Sequence, residues 1–96
     1  SKIVAYSVIY YAVDQADLAN IAVLPEYRGQ KIGKALLEKT MEKACEYGAS
    51  EVFLEVRESN LSARGLYLSS DFVEIGRRKK YYKNPREDAI IMFRKL

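Results

Sequence analysis

The 96-residue sequence contains no histidine and a single cysteine, Cys45. Without histidine the commonest general base and the commonest metal ligand are gone, and so is every Ser–His or Cys–His dyad. Acid–base chemistry is left to carboxylates, tyrosine, lysine or bound water. One cysteine permits no internal disulfide, which fits a reducing compartment. No apolar run approaches the roughly 18 residues that a membrane span needs, and no low-complexity tract or repeat divides the chain. The expectation is one cytoplasmic domain over residues 1–96, with no metal and no membrane contact. The formal charge of +3 suits a ligand with phosphates and does not require nucleic acid.

What is present is a clear alternation of strand and helix signals. Residues 2–12 are apolar on both faces, with Val4, Tyr6, Val8, Tyr10 and Ala12 opposed to Ile3, Ala5, Ser7, Ile9 and Tyr11. Such a strand belongs inside a covered sheet rather than at its rim. A polar turn at 14–17 leads to a second strand at 18–24, paired as a hairpin and stopped by Pro25. A helix then runs to about Tyr47, with Gly48 as its left-handed terminator. Ile32, Leu36, Leu37, Met41, Ala44 and Cys45 fall on its buried side. A strand at 51–56, a short helix at 61–70 and strands at 72–82 and 88–94 around Asn84–Pro85 complete the chain. The order β-β-α-β-α-β-β predicts an α/β fold with a mixed β-sheet and flanking helices. Its parallel step is a right-handed crossover from 18–24 to 51–56.

The segment 27–37 carries the strongest chemical signal. A strand feeds a turn marked by Gly29 and Gly33 into a helix N-terminus, with Arg28, Lys31 and Lys34 around it. Unpaired N–H groups and the positive end of the helix dipole make such a turn a phosphate cradle. The segment is equally compatible with a helix entry whose basic residues are merely solvated. A Walker A loop needs four residues between its glycines and a hydroxyl after the lysine; here there are three, and Ala35 follows Lys34. A dinucleotide-binding G-x-G-x-x-G turn is also absent.

Glu55 lies late in a central strand, at the end where a parallel pair splays and binds ligands. Burial at such a place suits a carboxylate for base chemistry, whereas an ion pair with Arg57 or a lysine would make it structural. Ser59 or Asn60 can be the N-cap of the second helix. Tyr67, two turns after Asn60, can share its side of that helix or be plain core.

Arg28 and Gly33 resemble the first and last positions of the R/Q-x-x-G-x-G/A motif of the GCN5-related N-acetyltransferase superfamily. Glu55-Val56-Arg57-Glu58-Ser59-Asn60, followed by Ala63, Leu66-Tyr67 and Phe72, resembles the E-V-R-x-x-N-x-x-A-x-x-L-Y-x-x-x-G-F block of bacterial ribosomal-protein-alanine N-acetyltransferases. Arg77-Arg78, Tyr81-Tyr82 and residues 87–92 resemble the same family's C-terminal segment. Two positions depart from it. Lys31 stands where the middle glycine is usual, and its N–H points the same way if its φ is negative. Asp71 replaces the glycine before Phe72, which alters the turn into the next strand.

The resemblance implies an acetyl-CoA-dependent transferase acting on a protein or peptide N-terminus by direct attack. Glu55 would be the general base, through water, and Tyr67 the acid that protonates the leaving thiolate. Arg28, Gly29, Gln30, Lys31, Ile32, Gly33 and Lys34 would hold the pyrophosphate. Asn60, Ile21 and Val23 would meet the pantetheine and acetyl groups, and Tyr81 and Tyr82 would line the peptide side. An α-amine of pKa near 8 costs only about 1.4 kcal/mol to deprotonate at pH 7, against about 4.6 kcal/mol for a lysine. A modest carboxylate base therefore suits the α-amine better.

Family members usually begin with a strand, two helices and a further strand, part of which forms the acceptor site. By that comparison the sequence reads as an N-terminally truncated member or a fragment. The alternative expectation is a coenzyme A-binding core without turnover. An unpaired first strand predicts a homodimer through its edge. Cys45 is expected in the core, and the basic residues 77–80 are expected to be a solvated edge rather than a nucleic-acid patch.

Overall fold

A computed structural model describes residues 3–29 and 31–96. The expectations for Lys2 and Gln30 fall outside the described residues. Strands β1 (Ala5–Ala12) and β2 (Gln15–Val23) form a hairpin, followed by a 3-10 turn at Pro25–Tyr27 and helix α1 (Ile32–Glu46). Strand β3 (Glu51–Arg57), helix α2 (Leu61–Ser69), and strands β4 (Val73–Tyr82) and β5 (Glu87–Lys95) follow. The five strands form one mixed sheet in the order β1-β2-β3-β5-β4, with β2 and β3 parallel and the other neighbours antiparallel. The expected order of elements and the parallel crossover are both present.

Two right-handed crossovers in the same direction, β2-α1-β3 and β3-α2-β4, place both helices on one face of the sheet. The core lies between them: Leu37, Met41 and Ala44 of α1 and Tyr67 of α2 meet Ala16, Leu18, Val52, Leu54, Val56, Ile90 and Met92 of the sheet. Alternation along β3 buries Val52, Leu54 and Val56 and turns Phe53, Glu55 and Arg57 toward the opposite face. There Phe53 packs on Phe93, their ring centroids 5.1 Å apart.

Three expectations are corrected. The hairpin turn is at Val13 and Asp14, so β2 begins three residues earlier than read. The segment Gln15-Ala16-Asp17 looks polar, yet Ala16 is fully buried opposite Val52 while Asp17 points away, a normal strand alternation. Among the described residues β1 stands at the end of the sheet rather than inside it; Tyr6, Val8 and Tyr10 are exposed on the face without helices. Cys45 is exposed, not core. The buried stripe of α1 is Leu37, Thr40, Met41 and Ala44, and at 100° per residue Cys45 falls about a quarter-turn off its centre. Thr40 takes the stripe position that hydrophobicity did not reveal. Its hydroxyl is satisfied by the Leu36 carbonyl and by Ser7 Oγ, each at 2.8 Å.

Gly48, at φ +94°, ends α1 as expected. The two departures at glycine positions are informative. Lys31 has φ +60° and Asp71 φ +67°, so both keep the left-handed backbone that glycine would adopt. The turn into β4 thus takes a left-handed residue at Asp71, and the condition of negative φ for Lys31 does not hold.

Candidate functional site

The parallel pairing of β2 and β3 runs only from Gln15↔Glu51 to Leu18↔Leu54. Beyond that point β2 continues to Val23 along β1, and β3 continues to Arg57 along β5. The two strands splay, leaving a gap in the sheet with Ala19–Val23 on one bank and Glu55 on the other.

A cavity of about 770 Å³ occupies this gap on the helix side. It is lined by Ile21 and Val23 of β2, by Arg28, Gly29, Lys31, Ile32, Gly33 and Lys34 of the turn and α1, and by Asn60 and Tyr67 at either end of α2's inner side. Glu55 and Tyr82 close it. Among the described residues the sequence-predicted ones, Tyr81 apart, are thus brought together around one space.

The end of the cavity at α1 is shaped by backbone. Gly29 (φ +80°) and Lys31 (φ +60°) precede α1 in left-handed conformations, and the first N–H groups of α1 have no intrahelical acceptor. The first turn of α1 contains no acidic residue to compete with an anion. Arg28 Nε donates to the Val23 carbonyl at 3.1 Å, and Lys34 Nζ to the Ser69 carbonyl at 2.8 Å at the end of α2. Both cations are tethered at the cavity wall by backbone carbonyls. A Cβ on Gly33 would sit 3.7 Å from both Leu66 Cδ2 and Val23 Cγ2, so this position is spatially close but accepts alanine.

Asn60 is the N-cap of α2, its Oδ1 accepting from Ala63 N at 3.1 Å. The residue also lines the cavity. Tyr67 is 8% exposed and packs on Phe72. Burial, helped by nearby Tyr82, pushes its phenol above the ordinary tyrosine value, so it keeps its proton throughout the neutral range. Burial and then the negative charge of Glu55 push Tyr82 the same way.

Glu55 has a partner, but not the one sequence reasoning offered. Its carboxylate forms an ion pair with Arg78 of β4. Arg57 instead stacks over the Tyr82 ring at 4.3 Å and binds Glu87 at 3.2 Å and the Pro85 carbonyl at 3.1 Å, fixing the β4–β5 turn. Arg78 escaped the sequence reading because β4 shifts register between Glu74 and Gly76 and again between Arg78 and Tyr82. Simple alternation cannot assign faces across such irregularities. The basic stretch 77–80 is also less free than it reads: Arg77 is held by Glu58 and Asp88, each at 2.8 Å.

A second cavity of about 640 Å³ opens on the other face of the sheet, lined by Asp17, Phe53, Arg78, Tyr81 and Ile91. It shares Leu18, Ala19, Glu55 and Tyr82 with the first. Glu55 therefore stands where two spaces meet through the gap. Among the described residues no group of histidine, cysteine, aspartate and glutamate could hold a metal ion, and no helix is long and apolar enough to cross a membrane.

A splayed parallel pair with a basic, glycine-marked turn at one end and a carboxylate and a buried tyrosine near the other bounds one elongated space. The family model for acetyltransferases of the GNAT family matches residues 1–72, and the chain belongs to that family. It is 43% identical over 95 residues to the [ribosomal protein bS18]-alanine N-acetyltransferase of Haemophilus influenzae, covering 96% of this chain and 64% of that protein. The crystal structure of the ribosomal-protein-S18-alanine N-acetyltransferase from Escherichia coli superposes with a TM-score of 0.89 at 41% identity, over 97% of this chain and 61% of that one. The NatC complex bound to Gag peptide and CoA matches with a TM-score of 0.82 at 28% identity, over 96% and 57% of the two chains. The chain thus spans somewhat less than two thirds of the relatives it matches.

Proposed function

We propose that this chain binds acetyl-CoA in the cavity on the helix side and transfers the acetyl group to the N-terminal α-amine of a protein. The observation that carries this reading is the single continuous cavity joining the α1 phosphate turn to Glu55 and Tyr67 through the gap between β2 and β3. Arg28, Lys31, Lys34 and the N–H groups opening α1 hold the pyrophosphate. The bank of β2 beyond Leu18, including Ile21 and Val23, has no β3 partner and offers backbone groups to the pantetheine arm. Asn60 presents its side-chain amide from the other bank.

The acceptor amine enters from the second cavity, past Tyr81 and Tyr82, and meets the thioester in the gap. Glu55, through a water molecule, takes the proton the amine loses as it attacks the carbonyl carbon. Backbone N–H groups along the open edge of β2 stabilise the oxygen as it gains negative charge. Tyr67 gives its proton to the sulfur as the carbon–sulfur bond breaks. A chain with no histidine can run this sequence, because the α-amine needs only a modest base. The bS18-alanine N-acetyltransferases among its relatives favour an alanine N-terminus over a lysine side chain. The same reading places the protein in the cytoplasm and assigns the free edge of β1 to a second copy of the chain.

Calorimetry with acetyl-CoA and acetyl transfer to a panel of N-terminal peptides test it. Glu55→Gln and Tyr67→Phe are each expected to lower kcat by about 100-fold or more, the usual range for losing a proton-transfer group, with coenzyme binding kept. Coenzyme binding without transfer to any peptide would leave the second reading, a coenzyme A-binding core. Absence of binding at millimolar acetyl-CoA would falsify both.

A further inference from the structure

Glu55 faces both cavities, and on the acceptor side its carboxylate is already occupied. Its Oε2 is enclosed and contacts Arg78 Nε without an aligned hydrogen bond. Arg78 itself is loosely held. Its side chain is 60% exposed, and its other neighbour is the Tyr81 ring, 5.5 Å from the guanidinium carbon. Arg77 next to it has two acidic partners with aligned hydrogen bonds or ion pairs at 2.8 Å. The contrast matters because both cavities are lined in part by Glu55, but Arg78 lines only the second. A cationic amine approaching Glu55 from that side meets a positive charge in the place it must take.

We propose that Arg78 is a specificity-determining residue whose guanidinium stands in for the acceptor's ammonium group on Glu55 and is displaced toward Tyr81 when a cationic amine binds. The proposal rests on the functional reading above, in that it takes the second cavity as the acceptor's entrance. Displacement is feasible because an ion pair with an exposed member is weak, and because the Tyr81 face offers the freed guanidinium an alternative contact. The carboxylate is thereby kept paired in the resting protein, and a neutral molecule, which cannot replace the lost charge pairing, is disfavoured as an acceptor.

The test is calorimetric titration of the coenzyme A-loaded chain with an alanyl peptide, with the coenzyme titration in the same samples as reference. Arg78→Gln is expected to bind the peptide up to about five-fold more tightly, the size of an exposed ion pair no longer competing. Arg78→Lys, which keeps a competing cation, is expected to bind like the wild type. In Arg78→Ala, guanidinium chloride at low millimolar concentration is expected to compete with the peptide, whereas in the wild type it should not; a merely structural arginine would not produce that difference. Peptide affinity unchanged, weaker or absent in Arg78→Gln, with coenzyme binding intact, overturns the inference alone. Failure of the wild-type chain to bind coenzyme overturns the functional reading and the inference with it.

Discussion

At the residue scale, the two positions that depart from the family's glycine pattern are also two of the strained ones. A non-glycine residue in the left-handed region costs about 1–2 kcal/mol, less for aspartate, whose short polar side chain tolerates it. Lys31→Gly should therefore stabilise the chain by about 0.5–1 kcal/mol after the greater freedom of unfolded glycine is subtracted. In a domain of this size that is a rise in Tm of several degrees. Asp71→Gly should raise it less, and a thermal melt that ranks the two the other way would count against the strain argument. Neither effect was legible in the sequence. Lys31 and Asp71 identify themselves as departures by their place in a motif, but only the backbone shows that each is left-handed and bears the cost. Glu55 and Tyr67 were singled out by the motif resemblance; strand alternation and helical spacing alone left each open to a structural role, and the fold brings both to the lining of one cavity. Arg78 was not, because two irregularities in β4 separate its face from its sequence number.

At the scale of elements, α2 shows how one residue can serve both fold and site. Asn60 caps the helix through Oδ1, and its amide nitrogen is the group that the functional reading gives to the coenzyme. The two roles separate by substitution. Asn60→Asp keeps an oxygen cap, so stability should stay within about 0.5 kcal/mol of wild type. It also places a negative charge beside a phosphate-bearing ligand, and coenzyme affinity should fall. Asn60→Ala should lose about 1 kcal/mol of stability as well. Urea unfolding paired with acetyl-CoA titration distinguishes them; equal losses of stability in both variants would show that the cap is not what Asn60 contributes. The order of elements was readable because each has a strong local signal: an apolar alternation, Pro25 at a strand end, Gly48 at a helix end. The rim position of β1 was not, because two-sided apolarity says that a strand is covered in its final setting without saying by what.

At the scale of the whole molecule, titration should bound stability from both sides. Tyr67 and Tyr82 hold their protons more tightly in the fold than in the unfolded chain. Their contribution is full below the ordinary tyrosine value near 10 and is lost as pH rises through the higher folded values. Glu87 is held below its ordinary value by Ser59 and then by Arg57, and Asp88 by the Lys80 N–H and then by Arg77. Their contribution is present above the usual carboxylate range and is lost as pH falls below it. Chemical denaturation across pH should show a plateau between about pH 5 and pH 10. Tyr67→Phe should flatten the alkaline fall, since phenylalanine has no proton to lose, while leaving the acid limb in place. An alkaline limb unchanged by that substitution would mean that the buried phenol is not what couples the fold to high pH.

Among the described residues β1 ends the sheet, and an edge strand is a template for another strand. Eight residues, Ala5–Ala12, present that edge, and Tyr6, Val8 and Tyr10 add apolar surface on the face that carries no helix. The register shift between Val8 and Ile9 interrupts the strand midway, and such a bulge discourages long edge-to-edge ladders. A discrete dimer is therefore expected rather than an open-ended aggregate. Light scattering should show the apparent mass doubling with concentration and then levelling. Val8→Lys puts a charge at the centre of the exposed stripe and should restore a monomer, with the melting temperature of the dilute wild type retained because Val8 is not part of the core. A monomeric wild type at high concentration would remove β1 as an interface between copies.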